Sequence, residues 1–437
     1  MTTPQPTAKP AAAPQATVMP STAIRIPINN VRVGDYTAQI KIGSQGVVAN
    51  VILDTGSSTL AIVPGLYQID HDTDVKVTPL AQIVKYGTGG WSGPVIQSSI
   101  SMGSAGREAS VPAFLAIADE QLFNNFAPAD GILGLAFNSL NLAFDLQTFL
   151  TSAQVDPPVT YPWPFAVSRS TAVLQEVAAF VTATGQAVDL RPYFTALEET
   201  GVTRNIFAFY TLRSVPNTAS ANPVDDPLNN GIFVLGGGLE QTDLYHGEPI
   251  SVAVLDDKWY NTNLKGVRVG NGSVIEVSPL PASQAKSQIS NSIMDTGTNS
   301  LALTAAVYNA VVSALKGLGP QFASLIDAAT SQGAVDQSSL NLSSWPDITF
   351  VLQGETGADV SLTCAPSTYW QTDFPEPGRA RFQILNGNAQ PQSILGLPLF
   401  NNYYTVFDRT QHPYGAVRFA PIVPPPAATG ASTPAAR

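Results

Sequence analysis

The sequence predicts a mostly β protein built as two related lobes with a few short helices. Three observations carry that expectation. The chain has 437 residues, more than one hydrophobic core ordinarily supports. Its apolar runs are short, rich in Val, Ile, Tyr and Phe, and punctuated by Gly, Asn, Asp and Pro, as strands and turns require. One pattern also occurs twice, as Ile52-Leu53-Asp54-Thr55-Gly56-Ser57-Ser58-Thr59-Leu60-Ala61 and as Ile293-Met294-Asp295-Thr296-Gly297-Thr298-Asn299-Ser300-Leu301-Ala302. An Asp-Gly turn between strands explains either copy alone. A matched pair, apolar before and hydroxyl-bearing after, implies halves related by a pseudo-twofold and two acidic groups brought to one place.

Along the chain, residues 1–23 are Pro, Ala, Thr and Gln with almost no large apolar side chains, and 424–437 return to that composition, so both ends are expected to be disordered tails. Strands are expected at 36–42, 47–53, 232–235, 348–352 and 403–407. Helices are expected at 172–184, 193–199, 305–318 and 322–329, where apolar spacing fits a buried face and Gly and Pro are scarce. The polar, Pro-rich stretch 214–230 reads as the connection between an N-terminal lobe at 24–213 and a C-terminal lobe at 231–423. Each half later carries two bulky apolar residues before a glycine, Ile132-Leu133-Gly134 and Ile394-Leu395-Gly396. Alone, such a triplet signals a strand ending in a turn, and it is given no functional weight.

Composition excludes several functions. With 21 Lys and Arg against 32 Asp and Glu the net charge is -11, which removes the basic footprint that nucleic acid or an anionic membrane surface demands. No apolar run reaches the roughly 18 residues of a membrane span. Charged residues make up only 12%, so little positive charge accumulates when carboxylates protonate, which suits acidic conditions. One cysteine, Cys364, allows no intrachain disulfide or thiolate cluster, and a buried apolar role is its default. His71, His246 and His412 lack the short spacings of a zinc site, so no metal and no cofactor are expected. The lone thiol and the lack of a basic-then-apolar leader point to a reducing compartment, a prokaryotic cytoplasm, with a disulfide-free periplasmic or secreted protein as the alternative.

The chain resembles the pepsin-like aspartic endopeptidases, in a disulfide-free, bacterial type of homologue, from about residue 26 to 421. Beside the paired signatures, Tyr86-Gly87-Thr88-Gly89 resembles the family's flap hairpin, Phe126-Ala127-Pro128-Ala129-Asp130-Gly131 the stretch before the first apolar-Gly triplet, and Tyr403-Tyr404-Thr405-Val406-Phe407-Asp408-Arg409 its C-terminal strand. The resemblance implies a bilobal acid protease fold, a polypeptide substrate in the cleft between lobes, a monomer, and Asp54 and Asp295 as catalytic residues. The chemistry explains why two carboxyls are needed: like charges at short range cannot both ionise, so the pair holds one shared proton and offers an acid and a base together. Gly56 and Gly297 let each turn approach closely and offer backbone N–H groups to the carboxylates. By resemblance, Thr55 and Thr296 bond across the lobes, Ser57 and Thr298 bond the outer carboxyl oxygens, and Tyr86, Gly87 and Thr88 form a flap closing over substrate. The resemblance also implies that Ile52, Phe123 and Ile132 line a pocket for a bulky apolar side chain before the scissile bond, although strand residues of this kind are more often simple core.

The chain departs from the family pattern in four places. Relatives carry a tryptophan after the first signature to hold the flap tyrosine, where this chain reads Thr59-Leu60-Ala61-Ile62-Val63-Pro64; Trp91 is a candidate replacement. Leu397 stands where an acidic residue usually follows the second triplet, the N-terminal tail is not the usual basic pro-segment, and residues 138–192 look like an insertion. The sequence therefore predicts an aspartic endopeptidase activating a water, at acidic pH. The alternative is a catalytically inactive pepsin-like module that binds peptide or protein. A polysaccharide-cleaving enzyme also uses two carboxyls but has no need of twin Asp-Thr-Gly turns.

Overall fold

The computed structural model describes residues 23–32, 34–85, 89–104, 106–122, 126, 128–163, 174–387, 391–411 and 413–425. Strands dominate it, as the alternation of apolar and polar residues requires. Five of them fall at Thr37–Ile42, Val47–Asp54, Asn230–Leu235, Ile348–Gln353 and Tyr403–Asp408, within two residues of expectation. The expected helices form at Leu174–Thr184, Tyr193–Glu199, Ala305–Lys316 and Pro320–Gln332. Gln147–Ser152 and Ala282–Gln288 are helices that apolar spacing does not reveal, because each is only about two turns long.

Six antiparallel strands at one end of a larger sheet underlie the site, in the order Ile24–Asn29, Asn230–Leu235, Ile206–Tyr210, Tyr403–Asp408, Ala416–Pro421, Ile250–Ala253. They come from both sides of residues 214–230. Aromatic side chains fill their core: Phe207 stacks on Phe407 with centroids 5.0 Å apart, and Tyr260 meets Phe407 edge-on at 4.6 Å. The segment 214–230 is knitted to itself and to the C-terminal half, with Asn229 Nδ2 donating to Asn217 O at 3.0 Å and Thr218 Oγ1 to Asp373 O at 2.6 Å.

The internal repeat appears in three dimensions as two copies of one crossing. In the first, Val47–Asp54 runs parallel to Gly131–Gly134, with Ile52 opposite Ile132 and Asp54 opposite Gly134, while Leu60–Ile62 pairs antiparallel with the same short strand. In the second, Ser292–Met294 runs parallel to Ser393–Leu395, and Leu301–Leu303 pairs antiparallel with it. The apolar-Gly triplets therefore do more than end strands. Each is threaded through the loop that carries a signature Asp, and it ends in a glycine because nothing larger fits: a Cβ on Gly134 would stand 2.4 Å from Ser58 Cα, and one on Gly396 2.2 Å from Thr298 O.

Residues on either side of 156–181 extend the sheet beside the expected flap hairpin. Leu142–Asp145 pairs with Lys76–Lys85, and Gln186–Asp189 pairs with Leu142–Asp145 in turn. Leu146, Leu150, Trp163, Val177 and Val181 pack with Ala81 into a small satellite core.

Phe207 is fully buried and, among the described residues, touches five other aromatic rings. Phe207→Ala is expected to lower unfolding free energy by about 3–5 kcal/mol, the usual cost of deleting a buried ring, measured as a shift in the urea midpoint.

Candidate active site

Both signature loops follow the same local logic. A buried strand delivers the Asp, and the Thr-Gly turn after it folds back so that backbone and side-chain donors face the carboxyl. Gly56 N donates to Asp54 Oδ1 at 2.6 Å and Ser57 Oγ to Asp54 Oδ2 at 2.5 Å. In the second loop Gly297 N donates to Asp295 Oδ1 at 2.8 Å and Thr298 Oγ1 to Asp295 Oδ2 at 2.7 Å. Four charge-assisted bonds are thus arranged in two identical pairs.

The loops are locked to each other by their threonines. Thr55 Oγ1 donates to Met294 O at 3.0 Å and accepts from Thr296 N at 2.9 Å, while Thr296 Oγ1 donates to Leu53 O at 2.8 Å and accepts from Thr55 N at 3.1 Å. Both threonines are buried, so each bond acts without competition from water. The lock brings the two carboxyls within hydrogen-bonding reach of each other. It also explains the glycines: a Cβ on Gly56 would lie 2.8 Å from the Asp295 carboxyl, and one on Gly297 would lie 2.4 Å from Asp54 Oδ1.

Asp54 is 7% exposed and Asp295 8%, so the pair sits in a poorly solvated seam. Burial first, and then the charge of Asp295, hold the Asp54 carboxyl well above the usual carboxylate range, while the bonds from Ser57 and Gly56 pull the other way. A third carboxyl joins them that the sequence does not flag. Thr37 pairs with Ile52 and Leu53 N donates to Tyr36 O at 3.0 Å, and Asp35, just ahead of this strand, comes near enough to Asp295 and Asp54 to feel both charges. Its Oδ1 is sealed from solvent without a partner among the described residues. Burial, followed by the charges of Asp295 and Asp54, raises its pKa strongly. Val33-Gly34-Asp35 reads as an ordinary turn, and only the strand register exposes its place.

The other candidates fall as follows. Ile52 and Ile132 are cross-strand neighbours, each 6% exposed, in one cluster with Trp91, Phe126, Ala61 and Val63. Trp91 is fully buried opposite Val84, one pair before Lys85 and Gly90, and shares a cluster with Ala61 and Val63 of the segment that lacks the family's tryptophan. Tyr86, Gly87, Thr88 and Phe123 lie outside the described residues; the paired Lys85 and Gly90 frame the first three. Leu397 is completely buried and adds no charge near the dyad. Cys364 is buried as expected, its thiol pushed up to about 12 by burial. Among the described residues no cluster of His, Cys, Asp and Glu is placed to hold a metal ion, and no helix is long and apolar enough to cross a membrane.

The model for eukaryotic aspartyl proteases matches residues 35–155 and 182–421. The chain belongs to that family. This aspartyl protease is 24% identical over 400 residues to pepsin-2B of Gadus morhua, covering 89% of this chain and 96% of that one. It is 24% identical over 404 residues to pepsin A of Sus scrofa, covering 89% and 82%. It is 23% identical over 406 residues to a beta-secretase of Strongylocentrotus purpuratus, covering 88% of this chain and 66% of that protein. These relatives are eukaryotic, which leaves the expectation of a bacterial source without support. The family match of this aspartic-type endopeptidase skips 156–181, inside the segment read as an insertion.

Two outcomes follow from the geometry. Thr55→Val leaves Met294 O and Thr296 N buried and unpaired, and is expected to cost about 2–4 kcal/mol of stability in urea unfolding. Because the folded state raises the Asp54 pKa, folding favours its protonated form. That contribution is complete below the ordinary carboxyl range, about pH 4, and is lost as pH rises through the raised value. Wild type should therefore lose stability relative to Asp54→Asn as urea unfolding is repeated from about pH 3 to about pH 7.

Proposed function

We propose that this protease hydrolyses peptide bonds of polypeptide substrates with Asp54 and Asp295 as catalytic residues. The observation that carries the reading is the meeting of two carboxyls, each held by its own Gly N–H and hydroxyl, within hydrogen-bonding reach across the locked loops. Two negative charges this close repel strongly in a dry seam, so one proton stays on the pair. The ionised member draws a proton from a water lying between the carboxyls as that water attacks the peptide carbonyl. The protonated member hydrogen-bonds the carbonyl oxygen as charge develops there, then serves the leaving amine. No cofactor is needed because acid, base and nucleophile are all supplied.

The pH range follows from the shared proton. Activity requires exactly one proton on the dyad, so it fades on the alkaline side when that proton leaves and on the acid side when a second arrives. An acidic optimum fits a dyad flanked by no compensating cation in its own loops. The paired Ile52 and Ile132, with Trp91 behind them, support an apolar pocket and a preference for bulky hydrophobic side chains at the scissile bond. By the resemblance, Tyr86, Gly87 and Thr88 take the flap role and Phe123 joins the pocket residues.

Digestion of an unfolded protein from acidic to neutral pH tests the reading. Asp54→Ala and Asp295→Ala should each lower kcat/KM by at least about a thousand-fold, and a statine-type transition-state mimic should inhibit wild type at low concentration. Cleavage undiminished in both variants would refute the dyad, and an inert wild type that still binds peptide would favour a binding module. Cleavage sites rich in charged residues would refute the apolar pocket.

A further inference from the structure

Residues 256–261, Asp-Asp-Lys-Trp-Tyr-Asn, are absorbed by neither signature nor flap, yet they touch both catalytic loops. The segment is shaped by its own side chains: Lys258 N donates to Asp256 Oδ1 and Trp259 N to Asn261 Oδ1, both at 3.0 Å. Its main chain holds the strand that delivers Asp295, with Asn261 paired to Ile293 and Met294 N donating to Tyr260 O at 3.1 Å. Its side chains reach the other half. Tyr260 Oη donates to Leu135 O at 2.9 Å, and Leu135 N in turn donates to Asp54 O at 2.7 Å. Trp259 Nε1 donates to Gly56 O at 3.1 Å. The indole is half-buried, and the Lys258 ammonium lies 4.4 Å from its ring centroid while donating to Ser287 O at 2.8 Å. A cation over the ring holds it in place and polarises it.

We propose that Trp259 is a positioning residue for the reaction, clamping the Gly56 carbonyl and through it the two donors that serve Asp54. The carbonyl lies between them in the chain: Gly56 N on one side bonds Asp54 Oδ1, and Ser57 Oγ on the other bonds Asp54 Oδ2. Holding that peptide plane, which joins the Gly56 and Ser57 Cα atoms, restricts the two residues whose donors serve Asp54, as a supporting hydrogen bond orients the ligands of a metal. The clamp also breaks the pseudo-twofold. No side chain among the described residues donates to the matching Gly297 carbonyl, so the two carboxyls, alike in their nearest bonds, differ in how firmly those bonds are held. The ionisable groups facing Asp54 are Asp295 from the second loop and Asp35 from the neighbouring strand, both acidic. Its hydrogen-bond donors therefore carry the task of favouring its charged form.

The inference rests on the proposed dyad, and Trp259→Phe tests it by keeping a ring and removing the N–H. Loosened donors favour the carboxylate less, so the lower apparent pKa of the dyad, read by carbon NMR of labelled aspartate carboxyls, should rise by about half a pH unit. The acid limb of the kcat profile should move up with it. Near the optimum kcat should fall about five-fold, the size of one neutral hydrogen bond, with KM within about two-fold. An unchanged carboxyl titration and kcat would overturn the proposal, and so would lost stability with both unchanged, since that is what a merely structural bond predicts. If wild type cleaves nothing the proposed function fails, while the carboxyl titration still decides the role of Trp259.

Discussion

Everything in this molecule is organised around holding two like charges closer than they would choose. Carboxyls within hydrogen-bonding reach repel, and the repulsion grows as water is excluded. A pair free to relax would simply separate. Here they are opposed by buried bonds that run in both directions between Thr55 and Thr296 and onto the carbonyls of Met294 and Leu53. The lock sits on the main chain next to the carboxyls, so parting them requires breaking bonds that have no water to fall back on. The repulsion that double ionisation would bring favours keeping a proton on the pair, the basis of the proposed chemistry.

That constraint propagates outward through steric necessity rather than through a network of ion pairs. A signature loop can present its Asp only if the loop is tight, and it stays tight only because a short strand is threaded through it. The strand in turn must end in a residue without a side chain, hence Gly134 and Gly396. Gly56 and Gly297 obey the same rule from the opposite direction, each making room for the carboxyl of the other half. The six strands beneath supply the platform, and their aromatic core, with Tyr260 and Phe407 in contact, joins the support of Leu135 to the barrier between the halves. Surface ion pairs, such as Lys265 with Asp359, lie on exposed edges and contribute little to any of this.

How much of this was legible in the sequence depends on whether the information is local. The two signatures and the two apolar-Gly triplets are contiguous words, and they announced the duplicated architecture, the donor glycines and the cross-linking threonines. The triplets were undervalued because their purpose is a crossing between segments some eighty to a hundred residues apart, which no local pattern encodes. Asp35 is hidden for the same reason: its nearness to Asp295 and Asp54 follows from how the strand after it pairs, while locally it looks like a turn residue. Trp259 and Tyr260 follow a loop of unremarkable composition, and their partners Gly56 and Leu135 belong to the other half. Trp91 could be suspected only because an expected tryptophan was missing elsewhere; its burial against Ala61 needed the fold.

The symmetry that organises the fold is therefore also what the chemistry must escape. A perfect twofold would make the two carboxyls equivalent, with the shared proton divided evenly, whereas attack by water requires one base and one acid at a given moment. The nearest bonds do not distinguish them, since each carboxyl has one Gly N–H and one hydroxyl. The distinctions lie one step out, in residues that have no twin. Asp35 lies close to both carboxyls, its own ionisation opposed by burial and by their charges, while the segment ending in Trp259 and Tyr260 braces the first loop from the second half. Burial and the charge of Asp295 discourage ionisation of Asp54 and firmly held donors encourage it, so the two act in opposition. Their balance, which the duplicated signature does not contain, bears on how readily Asp54 ionises.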